Sequence, residues 1–164
     1  MAKKARKAAK KPARKAAKPA KKKAASSASS TMNPKPQHGE FMWNELMTRD
    51  DVAALNFFEK LLGWTHQDWP LGEGKAPYRV TKIGEKSAAG ILKMTEPEFP
   101  APVPTHWCGY IAVRDIDACW KKIAELGGTQ IHPPSVIPQV GRFCIFKDPT
   151  GAVAALMQPE GGVA

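Results

Sequence analysis

Acidic side chains are missing from the start of this 164-residue chain. Residues 1–23 carry 12 lysines and arginines, and the first acid is Glu40. From residue 24 onward 13 basic and 15 acidic side chains nearly cancel, so the formal charge of +10 is +12 from the first stretch and −2 from everything after it. A basic globular surface built to grip a polyanion is therefore disfavoured. Long apolar runs are missing too. The longest, such as Ala152 to Met157, fall far short of the ~20 residues that cross a bilayer, so no membrane partner is expected. The basic start has no apolar segment of the kind a secretory signal needs. It is rich in lysine rather than arginine and is broken by Pro12 and Pro19, which argues against a transit peptide. Cysteines are few: Cys108, Cys119 and Cys144 are an odd number without CxxC spacing, and are expected to be reduced thiols in a cytoplasmic protein. The four histidines, His38, His66, His106 and His132, have no HxH or HxxxH partner among them.

What is present at the start is cation. Lys3, Lys4, Arg6, Lys7, Lys10, Lys11, Arg14, Lys15, Lys18, Lys21, Lys22 and Lys23 lie among alanines and prolines. Alanine and lysine favour helix, but the prolines leave pieces too short to hold in water, and like charges repel. Residues 1–39 are thus expected to be a disordered Lys/Ala/Pro tail and a Ser-rich linker. Such a tail suits non-specific binding of nucleic acid or another polyanion by counterion release, with no reading of bases. KKPARKAAKPAKKKAA resembles, in composition, the tails of linker histones and bacterial histone-like proteins, which implies nucleoid association beside the cytoplasmic expectation. The plainer alternative is a solvating extension with no dedicated partner.

The rest of the chain repeats itself. A shift of 65 residues places Arg49, Asp50, Ala53, Leu61 and Gly63 on Arg114, Asp115, Ala118, Leu126 and Gly128. Each copy reads as a strand, an Asp that can cap a helix, an amphipathic helix, a Gly, and further strands. In the first copy the strands are expected at 41–48, 64–69, 78–83 and 87–94. Val52, Leu55, Phe58 and Leu62 form one apolar helix face there. In the second copy the strands are expected at 106–113, 129–132, 142–147 and 152–158. The helix stripe is Ile116, Cys119 or Trp120, Ile123 and Leu126, and Asp148-Pro149-Thr150-Gly151 makes a turn. Phe57, Phe58 and Trp120 are expected in the core. The fold class is α+β, two βαβββ modules at 40–95 and 105–160 within a domain of 40–160.

WNELMTRDDVAALNFFEKLLGW, GYIAVRDIDACWKKIAELGG and GRFCIFKDPTGAVAALMQP together resemble the vicinal oxygen chelate superfamily, which includes glyoxalase I, bleomycin-resistance proteins and extradiol dioxygenases. The resemblance spans about residues 40–160. It implies curled sheets around a shared cavity, with the modules pairing in one chain or exchanging across a dimer. It also implies four metal-ligand positions, which here fall on Trp43, Gly90, Cys108 and Ala155. Indole, glycine and methyl groups offer a hard cation no donor, and one thiolate is not a site. No metal and no other cofactor is therefore expected; a divalent ion enters only if these positions are misassigned. A two-residue slip would bring in Glu45 and Tyr110 instead, one carboxylate and one phenol.

Strand alternation places Trp43, Glu45 and Met47 on one face, and His106, Cys108 and Tyr110 on one face of the fifth strand; Ala155 and Met157 line the last. This aromatic, sulfur-rich set with one acid suits a flat or apolar small molecule. Glu45 is the candidate acid or base, with a raised pKa in such surroundings; the alternative is that it pairs with Tyr110 or a backbone N–H and ties the modules together. Arg142 either meets an anionic ligand at the cavity mouth or is solvated at a strand start. The expected function is metal-independent small-molecule binding of the bleomycin-resistance type. The rivals are a lyase, isomerase or dioxygenase-type enzyme using Glu45, and a nucleic-acid-associated protein with this domain as its dimerising head. Open sheet edges favour a homodimer.

Overall fold

The structure is a computed structural model that describes residues 35–164. The basic side chains from Lys3 to Lys23, assigned above to polyanion binding and disorder, lie outside the described residues. In chain order the elements are β1 (Phe41–Thr48), α1 (Asp51–Leu62), β2 (Thr65–Trp69), β3 (Tyr78–Ile83), β4 (Lys86–Lys93), β5 (His106–Ala112), α2 (Ile116–Glu125), β6 (Thr129–Ile137), β7 (Gly141–Lys147) and β8 (Val153–Pro159). This is the doubled βαβββ order.

Local chemistry sets the frame of each module. The carboxylate of Asp50 accepts the Ala53 N–H at 2.9 Å, and Asp115 accepts that of Ala118 at 2.9 Å. Each satisfies an amide that the first helical turn leaves free. Gly63 ends α1 with φ 68°, a left-handed conformation that a side chain would strain. Before β8, the Asp148 carboxylate gathers Thr150 N, Thr150 Oγ1 and Ala152 N and closes the turn. Asp51, which could have capped α1, is instead buried and meets Arg79 and Lys93.

The eight strands form one sheet in the order β2-β3-β4-β1-β5-β8-β7-β6. β1 runs parallel to β4 and β5 parallel to β8, while β1 and β5 are antiparallel neighbours at the centre. The modules thus pair edge to edge within one chain. The sheet is curled and unclosed, with β2 and β6 as its free edges. One face carries the helices. There Leu55 of α1 packs on Leu46 and Ile91, and Ile116 and Ile123 of α2 pack on Val113, Cys144 and Leu156. Ile91 and Ile116 expose nothing, and each such side chain contributes about 1.5–3 kcal/mol by leaving water.

Several expectations are corrected. Val52 and Leu62 stay 54% and 53% exposed, Phe57 58% and Leu126 75%, so they are not core. α1 packs over β4 and α2 over β6, β7 and β8. Periodicity places these side chains on apolar faces, but no element among the described residues covers the part of each helix that carries them. Phe58 and Trp120 do pack against the buried clusters. β6 continues past His132 through Pro133 and Pro134 to Ile137. It is an edge strand with shifted register at that point, where a missing N–H breaks no ladder bond.

Candidate functional site

The concave face, opposite the helices, collects the side chains that alternation had grouped. Met47, Met94, Cys108, Tyr110, Ala155 and Met157 form one buried cluster, with Trp43, Phe99, Val103, Ile137, Phe143 and Ile145 against it. Glu45 lies in the floor at 6% exposure, opposite Gly90 on β4 and Cys108 on β5. The floor is packed with side chains. Trp43, Tyr78, Phe143 and His132 are half-buried above it, toward the unclosed side of the sheet.

Tyr110 donates its hydroxyl to Glu45 Oε1 at 3.0 Å. These two residues are 65 apart, so the bond joins equivalent positions of the two modules across their central strands. The Trp43 indole N–H donates to the Tyr78 hydroxyl at 2.8 Å. A Cβ at Gly90 would collide with that hydroxyl and would stand 3.1 Å from Trp43 Nε1, so the absence of a side chain at residue 90 is what lets Tyr78 lie across β4 toward Glu45. Burial raises the pKa of Glu45 from its ordinary value, although hydrogen bonds from Tyr78 and Tyr110 and the nearby His106 all pull it down. Burial, followed by the Glu45 charge, pushes the Cys108 thiol up to about 11 and both tyrosines well above their usual value. His106 sits at the start of β5, its Nδ1 2.8 Å from the Pro104 carbonyl. With that nitrogen donating, Nε2 is left as the free nitrogen.

Of the residues singled out from sequence, Trp43, Glu45, Met47, Cys108, Tyr110, Ala155 and Met157 come together, and His106 adjoins them. Arg142 does not join them. It lies on the helix side of β7, in a two-bond pair with Asp117 of α2 at 2.6 and 2.9 Å. Neighbouring residues alternate across the sheet, so Phe143 faces the floor while Arg142 and Cys144 face α2. Sequence reading passed over Tyr78 and Phe143, though the 65-residue shift superposes one on the other. It also set aside His132, whose ring stacks on Phe143 at 5.1 Å and whose Nε2 lies 3.0 Å from Ser135 Oγ. Two surface hollows of about 300 and 400 Å³ lie elsewhere, one under α2 around Ile123 and Phe146 and one beside the β6–β7 turn.

The four positions at which the family resemblance implies metal ligands carry an indole, a hydrogen atom, a thiol held protonated and a methyl. Among the described residues no three His, Cys, Asp or Glu side chains converge. This donor set does not fit a divalent metal centre.

Residues 35–156 match the family described as the Glyoxalase/Bleomycin resistance protein/Dioxygenase superfamily, and the chain belongs to it. It is 41% identical over 121 residues to the Mycobacterium tuberculosis protein named "Putative glyoxylase CFP32", a match covering 74% of this chain and 44% of that one. It is 27% identical over 124 residues to the anthracycline biosynthesis protein DauV of a Streptomyces species, covering 70% and 45%. The chain thus spans less than half of the length of these curated relatives. In fold it is similar to a Streptomyces coelicolor methylmalonyl-CoA epimerase variant in complex with 2-nitronate-propionyl-CoA, with TM-score 0.55 at 14% identity over 78% of this chain and 99% of that one. It is also similar to a homoprotocatechuate 2,3-dioxygenase variant from Brevibacterium fuscum, with TM-score 0.51 at 18% identity over 80% and 35%. No helix among the described residues is long and apolar enough to cross a membrane.

Proposed function

We propose that this chain binds a small organic molecule on the concave face of its sheet, above Glu45 and Tyr110, without a resident divalent metal. The observation that carries this reading is the hydrogen-bonded group at the centre of the face. Trp43 and Gly90, two of the four positions at which the resemblance implies ligands, carry an indole bonded to Tyr78 and the space that the Tyr78 hydroxyl fills, and Glu45 and Tyr110 are bonded to each other beside them. Aromatic and thioether side chains frame this polar centre, which suits a flat ligand held by stacking with a few polar contacts. The names of the relatives, a glyoxylase and an anthracycline biosynthesis protein, also concern small organic molecules. The test is elemental analysis of protein purified without affinity metal, with thermal-shift screening of flat aromatic compounds. Sub-stoichiometric metal is expected, with a melting temperature indifferent to EDTA and raised by aromatic ligands in the parent but not in Tyr78→Ala. A stoichiometric divalent ion whose loss follows Glu45→Gln overturns the reading.

A second reading is favoured by Glu45 itself. A buried acid whose pKa is raised, within reach of a phenol, has the makings of a general acid or base in a lyase, isomerase or dioxygenase-type reaction. Turnover of a glutathione hemithioacetal or a catechol, lost in Glu45→Gln, would select it. We also propose that the basic tail recruits polyanions and that two chains associate as a homodimer, in the cytoplasm or on the nucleoid. Deleting residues 1–31 is expected to abolish low-salt retention on DNA, and sedimentation reads the oligomeric state.

A further inference from the structure

On the concave face full charge is scarce and of one sign. Glu45 is the ionisable acid of the floor, and no lysine or arginine among the described residues pairs with it. The arginines of the described residues are committed elsewhere. Arg49 bonds the carbonyls of Phe99 and Pro100, Arg79 bonds Asp51 and Asp68, Arg114 bonds the Ala164 carbonyl, and Arg142 bonds Asp117. The groups that face Glu45 are Tyr78 from β3, Cys108 and Tyr110 from β5, and His106 at the head of β5; Gly90 of β4 brings no side chain. Of these His106 alone can carry positive charge, and it lies opposite Met47, two residues along from the pair Glu45–Cys108. Aromatic faces surround this uncompensated carboxyl. Trp43 and Tyr78 stand on one side, and on the other Tyr110 and Phe143 have ring centroids 6.4 Å apart, with His132 stacked on Phe143.

A cation arriving here gains twice. It gives a buried carboxylate the partner that the protein withholds, and it meets the negative faces of aromatic rings. An anion meets a like charge in a setting of low polarity, with no guanidinium or ammonium to receive it. A neutral ligand leaves the carboxyl as it was. We propose that the concave site selects organic cations: flat aromatic molecules bearing a protonated amine, with the ammonium on Glu45 and the rings against the walls that Tyr78 and Phe143 supply. This inference rests on the reading of the concave face as a small-molecule site. It adds the sign of the ligand's charge, and it makes binding proton-linked, because the amine displaces the proton from the Glu45 carboxyl.

The test compares three probes on one ring system, 2-naphthylmethylamine, 2-naphthylmethanol and 2-naphthoate, by calorimetry on the full chain near neutral pH. The amine is expected to bind at least about tenfold tighter than the alcohol, and the naphthoate not measurably. In Glu45→Gln the amine should fall to the level of the alcohol measured on the same variant, with urea unfolding of that variant reporting that it is folded. On the parent protein the advantage of the amine should grow as pH is raised from below the ordinary carboxyl value of 4.5 until the Glu45 carboxyl has ionised, and this arm does not depend on any variant. Equal affinity for amine and alcohol overturns the inference and leaves the small-molecule reading standing. So does an advantage that survives in Glu45→Gln, or one that is flat with pH. Failure of all three probes to bind removes the small-molecule reading and the inference with it.

Discussion

Replacing Glu45 with glutamine should stabilise the fold relative to the parent, and by more as the pH is raised. The amide keeps the size of the side chain and an oxygen to accept the Tyr110 hydroxyl, 3.0 Å away in the parent. What it removes is the charge. Burial holds the Glu45 proton above the ordinary value of 4.5, against the combined pull of Tyr78, Tyr110 and His106. Between that value and the raised one, the folded protein binds more protons than the unfolded chain. The stability tied to this group is therefore fully present below the ordinary value and is lost as pH climbs through the folded one. The loss proceeds at no more than about 1.4 kcal/mol per pH unit, the free energy of a single proton equilibrium. Glutamine has no proton to lose. Urea unfolding of both proteins at a series of pH values from below 4.5 upward should give a difference that is flat below that value and then rises with pH within that slope until the folded carboxyl has ionised. A parent that instead gains on the variant as pH rises would mean that Glu45 is ion-paired and its pKa lowered. The account of an uncompensated buried acid would then be wrong.

Other perturbations test the surroundings. Gly90→Ala should drive Tyr78 off β4 and break its 2.8 Å bond to Trp43, costing about 2–4 kcal/mol from overpacking and a lost hydrogen bond; unchanged urea stability would show that Tyr78 does not depend on Gly90. Arg79→Met should leave the buried Asp51 with Lys93 alone at 3.5 Å, a loss of roughly 3 kcal/mol. Adding Asp51→Asn should recover part of that loss, and a double variant no better than the single would refute the pairing. Cys108 and Cys144 are buried, with thiols pushed up to about 11. A disulfide reagent at mildly alkaline pH should therefore modify the half-buried Cys119 first and reach the other two only on unfolding. Early labelling of Cys108 would show that the concave floor opens.

The sequence exposed the repeat and, through it, more than secondary structure. The 65-residue shift that aligns Asp50 with Asp115 also aligns Glu45 with Tyr110, and these two are bonded to each other. Alternation likewise grouped Met47, Cys108 and Met157, because successive side chains of a strand point to opposite faces of the sheet. Tyr78 was not legible in this way. Its role comes from its reach across β4 into space that Gly90 leaves, which depends on register between strands rather than on any pattern along one of them. The same shift sets Tyr78 on Phe143, so a signal existed in the paired aromatics. The exposed side chains of α1 escaped for a different reason. Periodicity tells which face of a helix is apolar, and only the placement of neighbours tells whether anything covers it. Arg142 was a matter of parity: one position along β7 decides between the floor and α2.

The bond between Glu45 and Tyr110 also sets a direction. The two modules offer matching frames on either side of the central strands, and a perfectly repeated cleft would accept a ligand equally well either way round. Here one frame presents an acid, with Tyr78 lying over Gly90 beside it, and the other presents a phenol, with Phe143 and the methyl of Ala155. A molecule with a polar end and an apolar end therefore meets two unlike halves. Its orientation is decided by the difference between the halves rather than by their likeness, so an asymmetric ligand should be bound in a single pose.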